Sequence, residues 1–218
     1  MIKGLIVDWG GVLTGSVFDP FEEWARADGI DYPHYQGVLA ELLGPSAPPG
    51  LPSKGDQPNP IHALERGELD NPEFEKLLAK RLRMRDGTAV NHQGMLERMF
   101  SQLQHAPDMN ALVQRAHSLG IPTALLSNSW GNAYPRTMWN DMFDAVIISG
   151  EVGLRKPEPE IYLLAARRLG LTPQECVFVD DLAINIRGAV SVGMVGVHHK
   201  SYEGTLLELE SILGVSLS

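Results

Sequence analysis

The stretch Leu5-Ile6-Val7-Asp8-Trp9-Gly10-Gly11-Val12-Leu13-Thr14 is an apolar run that ends in one acid and then two glycines. Short, β-branched and closed by glycine, residues 3–8 read as a buried strand. An open α/β sheet presents its reactive groups just beyond the carboxyl ends of its strands, where Asp8 falls. The glycines imply a backbone that turns tightly or approaches another group closely.

Working outward, the next stretch has a different character. From about 15 to 106 the patterns are helical: Pro20 to Ala27, Tyr35 to Leu43, Ile61 to Arg66 and Pro72 to Arg83. Asn71-Pro72 reads as a helix start, a capping residue followed by proline. Between Gly44 and Pro60 lie six prolines, a composition that predicts a loop or hinge. From about 110 helices and strands alternate. Strands are expected at Pro122 to Leu126, Ala145 to Ile148, Cys176 to Val179 and Met194 to His198. Helices are expected at Asn110 to Leu119, Arg136 to Met142, Glu158 to Leu169, Ala183 to Val192 and Tyr202 to Leu213. Thr172-Pro173-Gln174-Glu175 has the form of a capping box. Alternation of this kind implies parallel strands with right-handed crossovers. The expected fold is α/β, a doubly wound (Rossmann-like) parallel sheet core formed by 1–14 and 107–218. A helical cap domain, 15–106, would be inserted after the first strand, over the carboxyl edge of the sheet.

The 218 residues are 44% hydrophobic, enough for one domain with a modest insertion. A formal net charge of −9 disfavours nucleic acid and anionic membranes as partners. One cysteine, Cys176, excludes an internal disulfide and fits a reducing, cytoplasmic setting. The N-terminal residues run directly into a strand pattern without a signal-peptide layout, and no apolar stretch has the length of a membrane span.

Three further segments place polar chemistry at the same sheet edge. Ser127 and Asn128, at the end of the second core strand, offer a hydroxyl and an amide to an anion. Lys156, in Gly153-Leu154-Arg155-Lys156-Pro157-Glu158-Pro159, is a positive charge just ahead of a helix start, where anions are favoured. Asp180 and Asp181 are adjacent acids at a strand end, with Asn185 one helical turn later. Their repulsion would be relieved by a hard cation, and oxygen-only ligation suits Mg²⁺. A carboxylate nucleophile, a Mg²⁺ site and a clamp for a dianion are what phosphoryl transfer requires.

In this order and placement the four motifs resemble the haloacid dehalogenase superfamily of hydrolases. The segment from Ala124 to Gly193 looks most like the N-terminal phosphatase domain of soluble epoxide hydrolases, through Ser127-Asn128-Ser129-Trp130 and Lys156-Pro157-Glu158-Pro159-Glu160-Ile161-Tyr162. The resemblance implies a Mg²⁺-dependent phosphatase of a small phosphorylated metabolite, acting as monomer or homodimer. It implies that Asp8 is the nucleophile that becomes an aspartyl-phosphate. Ser127 and the Asn128 backbone would bind the transferring group, and Lys156 would hold both Asp8 and the phosphate. Asp8, the Gly10 carbonyl and Asp181 would ligate the metal, with Asp180 and Asn185 in support behind them.

Gly10 departs from the family pattern, which usually has a second Asp two residues after the nucleophile as general acid/base. Such a group contributes roughly 10²–10⁴-fold. Three readings follow: a phosphatase whose substrate has a good leaving group or whose cap supplies an acid; a C–P or C–halogen hydrolase; or a non-catalytic binding protein. The acidic pair argues against a dehalogenase. A phosphonate hydrolase would need a cap lysine, for which composition offers Lys54, Lys76 and Lys80.

Asp8 alone could be a turn residue, and Asp181 alone a helix cap. His198 and His199 read as solvent-facing, since zinc needs a fuller ligand set. Trp9 and Trp130 either wall the site or pack beneath the cap. Arg155 reads as a surface charge or a second anion contact, and Cys176 as inert core.

Overall fold

The computed structural model describes residues 1–16, 19–43, 59–101, 103–131, 134–139 and 141–218. Strand β1 (Gly4–Val7) is buried at every position. It sits in the middle of a five-stranded parallel sheet with β2 (Thr123–Ser127), β3 (Ala145–Ile148), β4 (Cys176–Asp180) and β5 (Val195–His198), in the order β3-β2-β1-β4-β5. Val7 is level with Leu125 on one side and Val179 on the other. The strands therefore end together, and β1 lies where the chain's winding reverses direction. That reversal opens a crevice at the carboxyl edge.

Side chains of a strand alternate between faces, and β1 divides accordingly. Leu5 and Val7 join Leu125, Val177 and Val179 beneath α6 (Pro107–Ser118) and α10 (Tyr202–Leu213). Ile6 joins Leu126, Ile147 and Phe178 beneath α8 (Pro159–Arg168) and α9 (Ala183–Ser191). Burial on both faces is why these strands read as continuous apolar runs. The short helix α7 (Ser149–Val152) follows β3 directly and ends at Gly153 in the left-handed conformation.

Between β1 and β2 stand α1 (Asp19–Ala27), α2 (Tyr32–Leu43), α3 (Pro60–Glu65), α4 (Asn71–Arg81) and α5 (Met95–Phe100). They share an apolar cluster of their own, with Phe21, Trp24, Tyr35, Ile61, Phe74 and Met95 at its centre. The chain enters and leaves this helical segment side by side. Ala106 N donates to Leu13 O at 2.9 Å and Gly15 N to Gln104 O at 2.8 Å, with Thr14 opposite His105.

Three local expectations need correction. The cap of α4 is Asp70, not Asn71: its carboxylate accepts from Glu73 N at 2.8 Å, and Asn71 is the first helical residue. The segment after Arg136 is a single 3₁₀ turn, Arg136–Trp139, not a helix to Met142. Helix α5 was not expected at all. Residues 44–58 of the proline-rich stretch, and with them Lys54, lie outside the described residues. No helix among the described residues is long and apolar enough to cross a membrane.

Candidate active site

The loop after β1 is fixed by its own backbone. Trp9 O accepts from Leu13 N at 2.9 Å and Thr14 N at 3.1 Å, closing a tight turn. The turn aims Trp9 N at Asp8 Oδ1, 2.7 Å away. Gly11 has φ +75°, and a Cβ there would lie 2.3 Å from Asp181 Oδ2. Glycine is thus required twice, by conformation and by the approach of an acid from β4. Gly11→Ala should lower the unfolding midpoint by an amount equivalent to about 1–3 kcal/mol. It should also displace Asp181 and remove any stabilisation by Mg²⁺, read by thermal denaturation with and without the ion.

Asp8, Asp180 and Asp181 bring carboxylate oxygens within 4.8 Å of one another. The cation among them is Lys156, whose Nζ lies 2.8 Å from Asp8 Oδ1 and 2.7 Å from Asp180 Oδ2. Lys156 itself is 1% exposed. Asn128 holds its backbone from both sides: Lys156 N donates to Asn128 Oδ1 at 2.9 Å, and Asn128 Nδ2 donates to Lys156 O at 3.0 Å. The Asn128 amide is therefore engaged with the lysine loop as well as facing the cavity. Burial opposes the lysine charge, but Asp180 and Asp8 outweigh it and hold its pKa above the ordinary value.

Asp180 is wholly buried and fully engaged. Besides Lys156 it accepts from Leu182 N at 2.8 Å and from Asn185 Nδ2 at 3.0 and 3.1 Å. Tyr162 OH in turn donates to Asn185 O at 2.8 Å, tying α8 to α9 behind the acids. Asp180 is left little freedom to face a ligand, whereas Asp8 and Asp181 both line the cavity. Burial pushes the Asp8 carboxyl well up; Lys156 pulls it down, and Asp180 and Asp181 push it further up. Asp181 is pushed up to about 6 by burial and then by Asp180. One ammonium faces three carboxyl groups in a desolvated place, so their full ionisation would leave two negative charges uncompensated. An all-oxygen set with that deficit fits a hard divalent cation.

A cavity of about 120 Å³ collects these groups, lined by Asp8, Gly10, Ser127, Asn128, Lys156, Asp181 and Asn185. Ser127 is 2% exposed, and its Oγ is 3.0 Å from Tyr134 OH. Tyr134 packs edge-on against Trp9 with ring centroids 5.0 Å apart. Both Trp9 and Trp130 line the cavity, and Trp130 also packs in the helical cluster. His198 and His199 stand outside the acid cluster: His198 Nε2 contacts Asp181 O at 2.9 Å and His199 Nδ1 contacts Thr205 Oγ1 at 2.8 Å. Lys76 and Lys80 line a separate surface hollow on α4. Among the described residues Lys156 is the cavity's one lysine. Cys176 is buried, its thiol pushed up to about 11 by burial and then by Glu175.

Two cavity residues carry more than their sequence suggested. Arg155 is not a surface charge. It is 6% exposed, and its Nε donates to Glu65 Oε2 at 2.5 Å. The other Glu65 oxygen accepts from Trp130 Nε1 at 3.0 Å. A second pair, Arg66 Nη1 to Glu158 Oε1 at 2.7 Å, runs parallel to the first. Helix α3 is thereby fastened to the Arg155–Glu158 loop that carries Lys156. Glu65 was not singled out from sequence, because its partner is 90 positions away.

The description "haloacid dehalogenase-like hydrolase" matches residues 2–193. The chain belongs to this family. Among curated relatives, mouse (Mus musculus) acyl-CoA dehydrogenase family member 10 is 33% identical over 221 residues, covering 99% of this chain and 19% of that protein. Rat (Rattus norvegicus) bifunctional epoxide hydrolase 2 is 29% identical over 170 residues, covering 71% of this chain and 31% of that protein. The chain thus spans a third or less of either relative. Other curated relatives are named phosphatases. Among solved structures, a haloacid dehalogenase family enzyme from Bacteroides thetaiotaomicron, an Asp-to-Ala mutant in complex with magnesium and inorganic phosphate, superposes with a TM-score of 0.66. It is 22% identical, and the match covers 92% of this chain and 95% of that one. This likeness shows the hydrolase fold, with its parallel sheet and flanking helices.

Proposed function

We propose that this haloacid dehalogenase-like hydrolase is a Mg²⁺-dependent phosphatase of a small phosphorylated substrate. The observation that carries the reading is the Asp8–Lys156–Asp180 ion-pair chain beside Asp181 and Ser127 at one cavity. Asp8 and Asp181, with the carbonyl of Gly10, would hold the ion. When bound, Mg²⁺ neutralises phosphate oxygens and draws the dianion toward the acids. The chain's own groups do the rest. Lys156 orients Asp8 and balances charge on the transferring group, while Ser127 Oγ and the Asn128 backbone bind its oxygens. An oxygen of Asp8 forms the bond to phosphorus as the ester bond breaks. Water then cleaves the aspartyl-phosphate and regenerates the carboxylate. Asp180 and Asn185 keep Lys156 in place. Residues 15–106 would act as a cap that supplies specificity.

The acid trio supports this reading over a dehalogenase, which attacks carbon and has no use for an uncompensated acidic cluster. The positions of Lys76 and Lys80 give a phosphonate hydrolase no Schiff-base lysine among the described residues. The proposed partners are a small phosphorylated molecule and no nucleic acid or membrane, in a cytoplasmic setting. The test is Mg²⁺-dependent release of phosphate from acetyl phosphate, with chelation abolishing it. Halide release from a haloacid without Mg²⁺ would overturn the reading.

Metal binding should depend on pH through Asp181. A protonated carboxyl cannot ligate, so affinity falls as pH drops below about 6, by up to tenfold per unit. Without metal the sign is opposite. A carboxyl whose folded pKa is raised favours the folded state when protonated, and that contribution is lost as pH rises through about 6. Titrating Mg²⁺ against the melting temperature at pH 5 and pH 7.5 checks both: the half-saturating concentration should be at least about tenfold higher at pH 5.

A further inference from the structure

Resting on the phosphatase reading, we propose that the substrate is an aryl monophosphate, a phosphate ester of a flat, uncharged phenol-type hydroxyl. Two independent features converge on it.

The first is the wall opposite the acids. Phe21, Phe100 and Trp130 line the cavity and pack on one another. Phe21 and Phe100 are edge-on at 5.5 Å, Phe21 and Trp130 are stacked at 6.3 Å, and Phe100 and Trp130 are edge-on at 6.4 Å. Leu43 and Leu182 also line the cavity. Two of the polar groups nearby are already matched. Glu65 uses both oxygens on Arg155 and Trp130, and the Asn185 amide is engaged with Asp180. A sugar hydroxyl set against the three aromatic rings would be buried without a partner, at a cost that a hydrocarbon ring escapes. A ring gains area burial and edge-to-face contacts instead.

The second is the leaving group. Gly10 offers no carboxyl to the departing oxygen. Besides Asp8 and Asp181, which this reading gives to the ion, the carboxylate of the described residues that lines the cavity is Glu65, and both its oxygens are taken up by hydrogen bonds from Arg155 and Trp130. An alkoxide leaving group demands a proton as it departs. A phenolate does not. The P–O(aryl) bond breaks with its electron pair going to the phenol oxygen, which is protonated by solvent after it leaves. Asp8 keeps the phosphoryl group until water takes it to inorganic phosphate.

The test uses the whole protein with Mg²⁺ and compares kcat/KM for 2-naphthyl phosphate, glucose 6-phosphate and acetyl phosphate, together with a set of substituted phenyl phosphates. 2-Naphthyl phosphate should exceed glucose 6-phosphate by about 100-fold. Across the phenyl set, kcat/KM should rise steeply as the phenol becomes more acidic. Phe100→Ala should cut the naphthyl-to-acetyl ratio by about tenfold. Hydrolysis of acetyl phosphate with glucose 6-phosphate equal to or better than 2-naphthyl phosphate would overturn this inference alone. So would a flat response to phenol acidity, which would reveal a proton donor. Failure to hydrolyse acetyl phosphate at all would overturn the phosphatase reading beneath it.

Discussion

Asp8→Asn should abolish turnover while leaving the protein at least as stable as the wild type. The activity loss should be at least about 10⁴-fold in kcat, the scale seen when a covalent nucleophile is removed. An amide oxygen beside Lys156 can keep the hydrogen bond but cannot form the aspartyl-phosphate. The stability result comes from the charge balance around it. The folded state pushes the Asp8 carboxyl up, chiefly because it is desolvated and faces Asp180 and Asp181. An ionised Asp8 therefore costs the metal-free protein free energy at neutral pH. Asparagine removes one of the two uncompensated charges, so the melting temperature without Mg²⁺ should hold or rise. The same variant should gain less from added Mg²⁺. A variant that keeps more than a hundredth of wild-type activity would show that Asp8 is not the nucleophile.

Lys156→Met has the opposite sign on stability. Its ammonium, 2.7–2.8 Å from two buried carboxylates, is the counter-ion that lets them be buried. Methionine keeps an apolar stem of similar shape, ends where the ammonium would begin, and leaves three acids together with no cation. Removing one member of a buried ion pair costs about 3–5 kcal/mol. Against a total stability of about 5–15 kcal/mol, this should bring the urea midpoint down sharply. Added Mg²⁺ should recover part of the loss, because a ligand that binds only the folded state stabilises it in proportion to its saturation. Activity should remain lost. Adding Asp180→Asn should restore much of the stability, since it removes the charge that Lys156 neutralised. An unchanged midpoint in Lys156→Met would mean that the acids are already protonated or solvated.

The parts of the structure that sequence discloses share a cause. Strands β1, β2 and β4 are covered on both faces, so apolar runs mark them, and each run stops at a polar residue that the sheet must place at its edge. Asp8, Ser127 and Asp180 could be aligned for that reason. Helix α5 gave no such sign. Its start is Gly94, in the left-handed conformation, and the acceptor for Gly94 N and Leu96 N is the Glu75 carboxylate on α4. A cap supplied from 19 and 21 positions away leaves no local signature. Burial of charge was equally hidden. Lys156 and Arg155 stand before a proline in a polar loop, a setting that looks solvated, and only the sheet edge and α3 bring Asp180 and Glu65 against them. Gly11 was legible as a close approach but not its partner, because Asp181 arrives from the far side of β1's neighbour.

The paired strands of chain at Leu13–Gly15 and Gln104–Ala106 have a further consequence. Departure and return occupy a single doorway, so everything between them is a loop whose ends are already closed by two hydrogen bonds. Such a loop can be lengthened, shortened or exchanged with almost no entropic charge to the sheet. Asp8, one turn upstream of the doorway, keeps its position whichever insert passes through. What such an exchange would disturb is the pair of contacts from α3 to the core, Glu65 to Arg155 and Arg66 to Glu158.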